Sequence, residues 1–158
     1  VFSDTQFSDV LGEDEDIADL KRRVRFSTVY TLPTEDGAVE TIVIPVSGYG
    51  LWGTMYGYLA LDGDGNTVHG IGFYEHKETP GLGGEINNPR WKSLWPGKKV
   101  YDEQGEVALN VVKGIGEGDF EIDGLSGASL TSRGVDNMIA FWLGPNGFGP
   151  FLTKLNEG

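Results

Sequence analysis

The sequence predicts an α+β domain with a mainly antiparallel sheet and flanking helices. Apolar residues alternate in several short runs, and turn-forming pairs such as Asp36-Gly37 separate these runs as hairpins require. Helical periodicity is confined to the parts of the chain near its ends. Strands and helices therefore do not alternate as they do in the βαβ units of a parallel sheet. The 158 residues fit one domain of ordinary size, so we expect a single domain over residues 1–158.

The first half of the chain is predicted to contain one helix and two hairpins. Residues 13–23 run from acidic to basic and place Ile17, Leu20 and Val24 on one face, which favours a short amphipathic helix. Strands are predicted at 25–32, 39–46, 54–61 and 65–76.

The second half is predicted to contain the clearest helix. Residues 87–95 begin with an asparagine cap and an early proline, so a short helix is expected there. A further hairpin is expected near Gln104-Gly105. Over 131–143, apolar residues recur at i, i+3, i+4, i+7 and i+8, and Gly144-Pro145 ends this helix. The segment 148–155 is expected to pack its apolar residues on the core.

Composition excludes several classes of function. The net charge of −12 repels phosphate backbones and anionic lipid surfaces, so we expect no nucleic-acid partner. The absence of cysteine excludes thiolate metal sites and disulfides, and two histidines are too few for a His-rich site, so no metal is expected. No apolar stretch approaches the roughly 20 residues of a membrane helix. We expect a soluble piece, and because it begins at Val1 it is interpreted as part of a longer protein.

Three motifs resemble ligand sites but have simpler explanations. Residues 48–53 match a dinucleotide fingerprint, yet the residues that follow predict a strand where the fingerprint requires a helix. The acidic run from Asp62 has calcium-loop spacing but lacks the glycine and glutamate of that loop, so a hairpin turn is favoured. His76 is interpreted as the polar end of a strand rather than a base, because no second catalytic partner is evident.

The segment 126–132, Ser-Gly-Ala-Ser-Leu-Thr-Ser, lies at the mouth of the predicted helix 131–143. Unpaired backbone amides, hydroxyl groups and a glycine at a helix N-terminus favour a bound anion. From the residues alone, an ordinary serine or threonine helix cap is the favoured explanation.

The longer segment 123–131, Asp-Gly-Leu-Ser-Gly-Ala-Ser-Leu-Thr, resembles the flavinylation motif of the FMN-binding domain family. In that family, a separate flavin transferase joins the final hydroxyl residue to the phosphate of FMN, and by position that residue is Thr131. Ser129 stands where threonine is commoner, which keeps the hydroxyl. The resemblance implies FMN as cofactor. The implied contacts in this segment are Thr131, Ser126, Gly127, Ala128, Ser129 and Leu130.

The resemblance extends over nearly the whole chain, because segments 45–52, 78–83 and 132–152 also match. Within the FMN-binding domain family, these segments resemble most the C subunits of the sodium-translocating NADH:quinone oxidoreductase. The resemblance implies an electron-transfer flavoprotein that relays electrons between other subunits of a sodium-pumping complex, without catalytic residues beyond the flavin. The N-terminal membrane helix of that family is missing from this chain. A membrane anchor and a position on the periplasmic side of a bacterial inner membrane are therefore implied by the resemblance alone.

The flavin ring is expected to lie between Trp52 and the loop that follows Glu78. A loop of sequence Thr-Pro-Gly-Leu-Gly-Gly exposes backbone amides and one apolar side chain, which suits an isoalloxazine ring, and Trp52 could stack on its other face. The ring contacts expected here are Trp52, Glu78, Thr79, Gly81, Leu82 and Gly83. We expect Trp52, Thr79 and Leu82 to converge near an accessible Thr131. The alternative is that Trp52 and Leu82 are core residues beside tight turns.

Three other functions stay open at this point. The chain could be a G subunit of an Rnf-type electron-transport complex, a flavin reductase with dissociable FMN, or a non-redox module that holds a small anion at 126–132. Covalent attachment of the flavin distinguishes the carrier from the last two.

Overall fold

The computed structural model describes residues 8–157. Within this range the chain forms eight β-strands and three α-helices. The strands are β1 (Ser8–Val10), β2 (Arg22–Val24), β3 (Tyr30–Pro33), β4 (Val39–Tyr49), β5 (Thr54–Asp62), β6 (Val68–Glu75), β7 (Asn110–Val111) and β8 (Glu121–Ile122). The helices are α1 (Pro89–Lys92), α2 (Ser129–Trp142) and α3 (Gly149–Glu157), and a 3-10 helix spans Gly83–Asn87. Strands β3 to β6 form one antiparallel sheet in chain order, which confirms the predicted fold class.

One face of this sheet forms the core beneath α2. Alternate residues of the two central strands are buried on this face: Ile42, Ile44, Val46, Met55, Leu59 and Leu61. Helix α2 covers them with buried apolar side chains that recur at helical spacing, among them Val135, Met138 and Ile139. Gly48 allows the close approach of α2 to β4, because a Cβ at Gly48 would lie 2.8 Å from the Cβ of Met138.

Residues 13–23 do not form the predicted helix. They form turns followed by β2, which pairs with β1. The Asp16 carboxylate accepts hydrogen bonds from the amides of Leu20 and Lys21, at 2.6 and 2.7 Å, and so competes with the backbone acceptors of a helix. Asp19 and Lys21 adopt φ values of 53° and 68°, which a right-handed helix does not contain. The prediction was wrong because local side-chain hydrogen bonds stabilise turns in place of a helix.

The predicted helix over 87–95 is present as a shorter helix. Helix α1 begins after Asn88, whose side chain accepts a hydrogen bond from the amide of Arg90, and Pro89 occupies the first turn. This is the cap and early proline that the sequence predicts.

The two C-terminal helices follow the prediction closely. Helix α2 begins at Ser129 instead of residue 131, and it ends at Trp142 before Gly144-Pro145. Helix α3 packs Leu152 into the core, as expected for the segment 148–155.

The connection between α1 and α2 brings a loop against the N-terminal end of α2. The hairpin predicted near Gln104-Gly105 is closed by an antiparallel bridge between Tyr101 and Val107. Strands β7 and β8 then pair in parallel, whereas the other strand pairs within residues 8–157 are antiparallel. The amide of Val111 on β7 donates to the Asp136 carboxylate at 2.9 Å and so joins this connection to α2.

We predict that Gly57→Ala destabilises the fold. Gly57 is buried on β5, and a Cβ there would lie 2.2 Å from the carbonyl oxygen of Gly72 on β6. Forcing the two strands apart should lower the free energy of unfolding by about 1–3 kcal/mol, measured by urea denaturation. Gly70→Ala is the matched control, because a Cβ at Gly70 meets nothing within 4 Å. Equal urea midpoints for the two variants would contradict the register of β5 and β6.

Candidate functional site

Thr131 lies in the first turn of α2 with its hydroxyl group directed at Glu78. Its Oγ1 donates a hydrogen bond to Glu78 Oε1 at 2.7 Å. Both residues are buried, with 1% of Thr131 and 5% of Glu78 exposed. A carboxylate removed from water requires hydrogen-bond donors, so the Thr131 hydroxyl is one of the groups that stabilise Glu78 in the fold.

Glu78 also joins the loop between β4 and β5 to this helix. The amides of Leu51 and Trp52 donate to its two carboxylate oxygens, at 2.7 and 3.0 Å. Gly50 lies close to this carboxylate at the start of the loop, because a Cβ at Gly50 would lie 2.4 Å from Glu78 Oε1 and would displace it. Three segments that are distant in sequence therefore meet at one carboxylate.

The loop that follows Glu78 folds over the Thr131 hydroxyl. Two amides of this loop, those of Leu82 and Gly84, donate to the carbonyl of Thr79 at its start. Gly81 adopts a φ of +80°, which glycine tolerates best. A Cβ at Gly83 would lie 2.4 Å from Thr131 Oγ1, so a side chain at this position would displace the hydroxyl.

Three large apolar side chains on the segments around Thr131 are exposed to solvent. The exposed fraction is 60% for Trp52, 46% for Leu82 and 52% for Leu130. Trp52 and Leu82 are therefore not core residues beside tight turns. A group of exposed apolar side chains is typical of a binding surface. The amide of Trp52 donates to Glu78, Gly83 next to Leu82 lies against Thr131 Oγ1, and Leu130 precedes Thr131, so the segments that carry these three side chains lie beside Thr131.

The segment 126–132 is not capped by its hydroxyl side chains. The N-cap residue of α2 is Ala128, and no side chain caps it. Ser132 Oγ instead accepts from the amide of Leu125 and donates to the carbonyl of Ala128. Within residues 8–157, no acceptor is present for the first three amides of the helix, which belong to Ser129, Leu130 and Thr131. The helix-cap explanation therefore does not account for this segment.

The remaining predicted residues surround this open helix end. Ser126, Gly127 and Ser129 are exposed, and Ala128 is buried. Gly127 adopts a φ of +72°, and a Cβ there would lie 3.2 Å from Leu82 Cδ2. The turn before α2 thus contacts the loop after Glu78.

The burial of Thr131 differs from the accessible hydroxyl that the sequence analysis expects. Glu78 on one side and the backbone of Gly83 on the other exclude solvent from Oγ1. The sequence gives no indication of this, because the covering residues lie about 50 positions earlier in the chain.

A cavity of about 600 Å³ lies beside the start of α2; Ser126, Gly127 and Ser129 of the predicted segment line it, whereas Thr131 does not. Its walls include Lys113, Arg133 and Asp136, none of which the sequence analysis selected. Burial raises the pKa of Asp136 above its ordinary value, while the hydrogen bond from the Val111 amide opposes that shift.

The motifs set aside in the sequence have structural roles. Residues 48–53 lead from strand β4 into strand β5, so no helix follows them as a dinucleotide site requires. Asp64 accepts from the amides of Asn66 and Thr67 and so stabilises a hairpin turn. His76 Nδ1 accepts from the amide of Glu78. Within residues 8–157, no three His, Asp or Glu side chains form a group that could hold a metal ion.

No helix in the described part of the chain is both long enough and apolar enough to cross a membrane.

The chain matches a known family across the site. The model of the FMN-binding domain matches residues 50–144, a range that includes Trp52, Glu78 and Thr131. The chain belongs to the FMN-binding domain family. Membership confirms the family predicted from the sequence and FMN as its cofactor.

Individual relatives in this family are similar along most of the chain. The C subunit of the Na(+)-translocating NADH-quinone reductase from Pseudomonas aeruginosa is 54% identical, over 98% of this chain and 61% of that protein. The C subunit of the same reductase from Yersinia pestis is 48% identical, over 98% of this chain and 59% of that protein. The chain thus spans about three fifths of the length of these curated relatives. The crystal structure of Shewanella oneidensis NqrC matches with a TM-score of 0.91 and 38% identity, over 99% of this chain and 72% of that chain.

We predict that Asp136→Asn raises the thermal midpoint at neutral pH. A raised pKa means that the fold disfavours the ionised form, so the carboxylate destabilises the protein above its folded-state pKa. An asparagine oxygen can still accept from the Val111 amide without a buried charge. The gain should vanish below pH 3.8, the ordinary pKa, where the carboxyl is protonated in both states. Exposed Asp14→Asn is the control, and an equal gain from it at neutral pH would contradict the burial of Asp136.

Proposed function

We propose that this protein is an electron-transfer domain that carries FMN, esterified through its phosphate to Thr131. The observation that supports this most directly is the position of the Thr131 hydroxyl. It lies at an uncapped helix N-terminus, beside the two loops that carry the exposed side chains of Trp52 and Leu82. A phosphate and a flat apolar ring would both have partners there.

The phosphate would be held by the start of α2. The amides of Ser129, Leu130 and Thr131 have no acceptor in the described part of the chain, and the helix dipole favours an anion at this end. Ser126 and Gly127 flank the same turn, where the positive φ of Gly127 suits a tight bend. Thr131 Oγ1 is buried, so an ester at this atom requires the loop carrying Gly83 to move outward.

The isoalloxazine ring would lie on the exposed apolar side chains. Trp52 offers an aromatic face for offset stacking, and Leu82 and Leu130 offer aliphatic contacts. The backbone of residues 79–84 would orient the polar edge of the ring through hydrogen bonds. Glu78 fixes the Trp52 loop by accepting two of its amides, which keeps one face of the ring site in place.

FMN, when bound, supplies the redox chemistry, including transfer of single electrons. The residues of the chain that would hold the ring are Trp52, Leu82 and Leu130, and they would cover part of it from water. This transfer requires no catalytic acid or base, in keeping with the structural role of His76.

We further propose that the carrier works inside a sodium-translocating NADH:quinone oxidoreductase. The support is that relatives with nearly half or more of this chain's sequence are named as the C subunit of that complex. The other subunits would be its electron donor and acceptor. The anchored subunit would place this domain on the periplasmic side of a bacterial inner membrane, and a flavin transferase would attach the FMN.

We predict that Thr131→Ala abolishes covalent FMN in a chain coexpressed with the flavin transferase. Carbon cannot form the phosphoester, whereas Thr131→Ser keeps a hydroxyl and should keep part of the FMN. The alanine variant loses one donor to the buried Glu78, which should reduce stability by about 1–3 kcal/mol and leave the domain folded. Intact-protein mass spectrometry measures the FMN adduct in each variant.

Ser129→Ala is the control for this experiment, because Ser129 is exposed at the same helix end. It should weaken attachment without removing it. A full FMN adduct on Thr131→Ala would contradict the proposed linkage. Flavin that is lost on denaturation of the native chain would favour a reductase with dissociable FMN, and no flavin at all would favour an anion-binding module.

A further inference from the structure

Glu78 is placed where the proton of the Thr131 hydroxyl must leave if that hydroxyl becomes an ester. Thr131 Oγ1 donates its hydrogen to Glu78 Oε1 at 2.7 Å. This distance lies in the range of about 2.6–3.2 Å that a general base requires. The hydrogen bond also directs the hydrogen towards the carboxylate, which leaves the lone pairs of Oγ1 for a new bond.

The carboxylate is held in this position by the connection between β4 and β5. The amides of Leu51 and Trp52 donate to it, and Gly50 packs directly against its oxygens. No Lys, Arg or His side chain in the described part of the chain forms an ion pair with Glu78. The carboxylate is therefore fixed by neutral donors.

We propose that Glu78 is the general base for the attachment of FMN to Thr131. This inference rests on the proposed phosphoester. The flavin donor is a flavin nucleotide activated as a phosphoanhydride. The bond from Oγ1 to phosphorus forms, and the anhydride bond from phosphorus to oxygen breaks, with its electron pair leaving on the departing phosphate group. The hydroxyl proton moves from Oγ1 to Glu78 Oε1.

The product of this step is also consistent with the geometry. An ester oxygen has no hydrogen to donate, so an ionised Glu78 would face a negatively charged phosphodiester without a donor between them. Once Glu78 has taken the proton, its carboxyl group donates a hydrogen bond back to an oxygen of the ester. The hydrogen bond between residues 78 and 131 is kept, but Glu78 is now the donor and the ester oxygen is the acceptor.

Glu78→Gln tests this role. Glutamine has the same shape and keeps one oxygen that accepts from one of the two loop amides, but its NH2 group replaces the second acceptor and the side chain cannot accept the proton. With purified transferase and the phosphoanhydride flavin donor, we expect the kcat for attachment to fall about 10²–10⁴-fold while the KM for the chain is unchanged. Glu78→Asp keeps a carboxylate further from Oγ1 and should recover part of the lost rate. Glu75→Gln, an exposed glutamate on β6, should react at the native rate.

The outcomes separate this inference from the proposed function. If the native chain gains FMN at Thr131 and Glu78→Gln gains it with the native kcat, the inference alone is overturned. If Glu78→Gln and Glu78→Asp lose kcat equally, or if the loss is in KM, Glu78 only supports the fold and the inference is also overturned. A native chain that gains no FMN at Thr131 would overturn both.

Discussion

The hydrogen bonding of the buried Glu78 carboxylate is the constraint on which the rest of the site depends. A carboxylate that is 5% exposed must find donors within the protein, and it finds the Thr131 hydroxyl and the amides of Leu51 and Trp52. These donors come from a helix start and a strand connection that are far apart in sequence. Gly50 and Gly83 follow from the same constraint, because a side chain at either position would displace the carboxylate or the hydroxyl.

The sheet and α2 supply the rigid frame for this arrangement. Helix α2 packs on the buried face of β4 and β5, which fixes the position of its N-terminal end relative to the connection between those strands. Three large apolar side chains do not pack into the core and are exposed at that end: Trp52, Leu82 and Leu130. A chain with a net charge of −12 thus presents an apolar surface beside unpaired helix amides. This combination suits a ligand with a flat ring and a phosphate.

The sequence predicts the regular parts of the fold because their periodicities are local. The alternation in β4 and β5 and the helical spacing over 131–143 are confirmed, whereas the helix over 13–23 is not, because the Asp16 side chain stabilises turns. The resemblance to a flavinylation motif selects Thr131, but it contains no information on burial. The contacts of Glu78 could not be predicted, since its partners lie 26 to 53 positions away. The glycines at positions 50 and 83 are the features of the sequence that indicate close packing around Glu78 and Thr131.

A crystal structure of the flavin-loaded chain tests the account most directly. We expect continuous electron density from Thr131 Oγ1 to the phosphorus of FMN, phosphate oxygens at the first amides of α2, and the ring against Trp52 and Leu82. Density for the ring in the cavity lined by Lys113 and Arg133, or a flavin joined to a different residue, would contradict it.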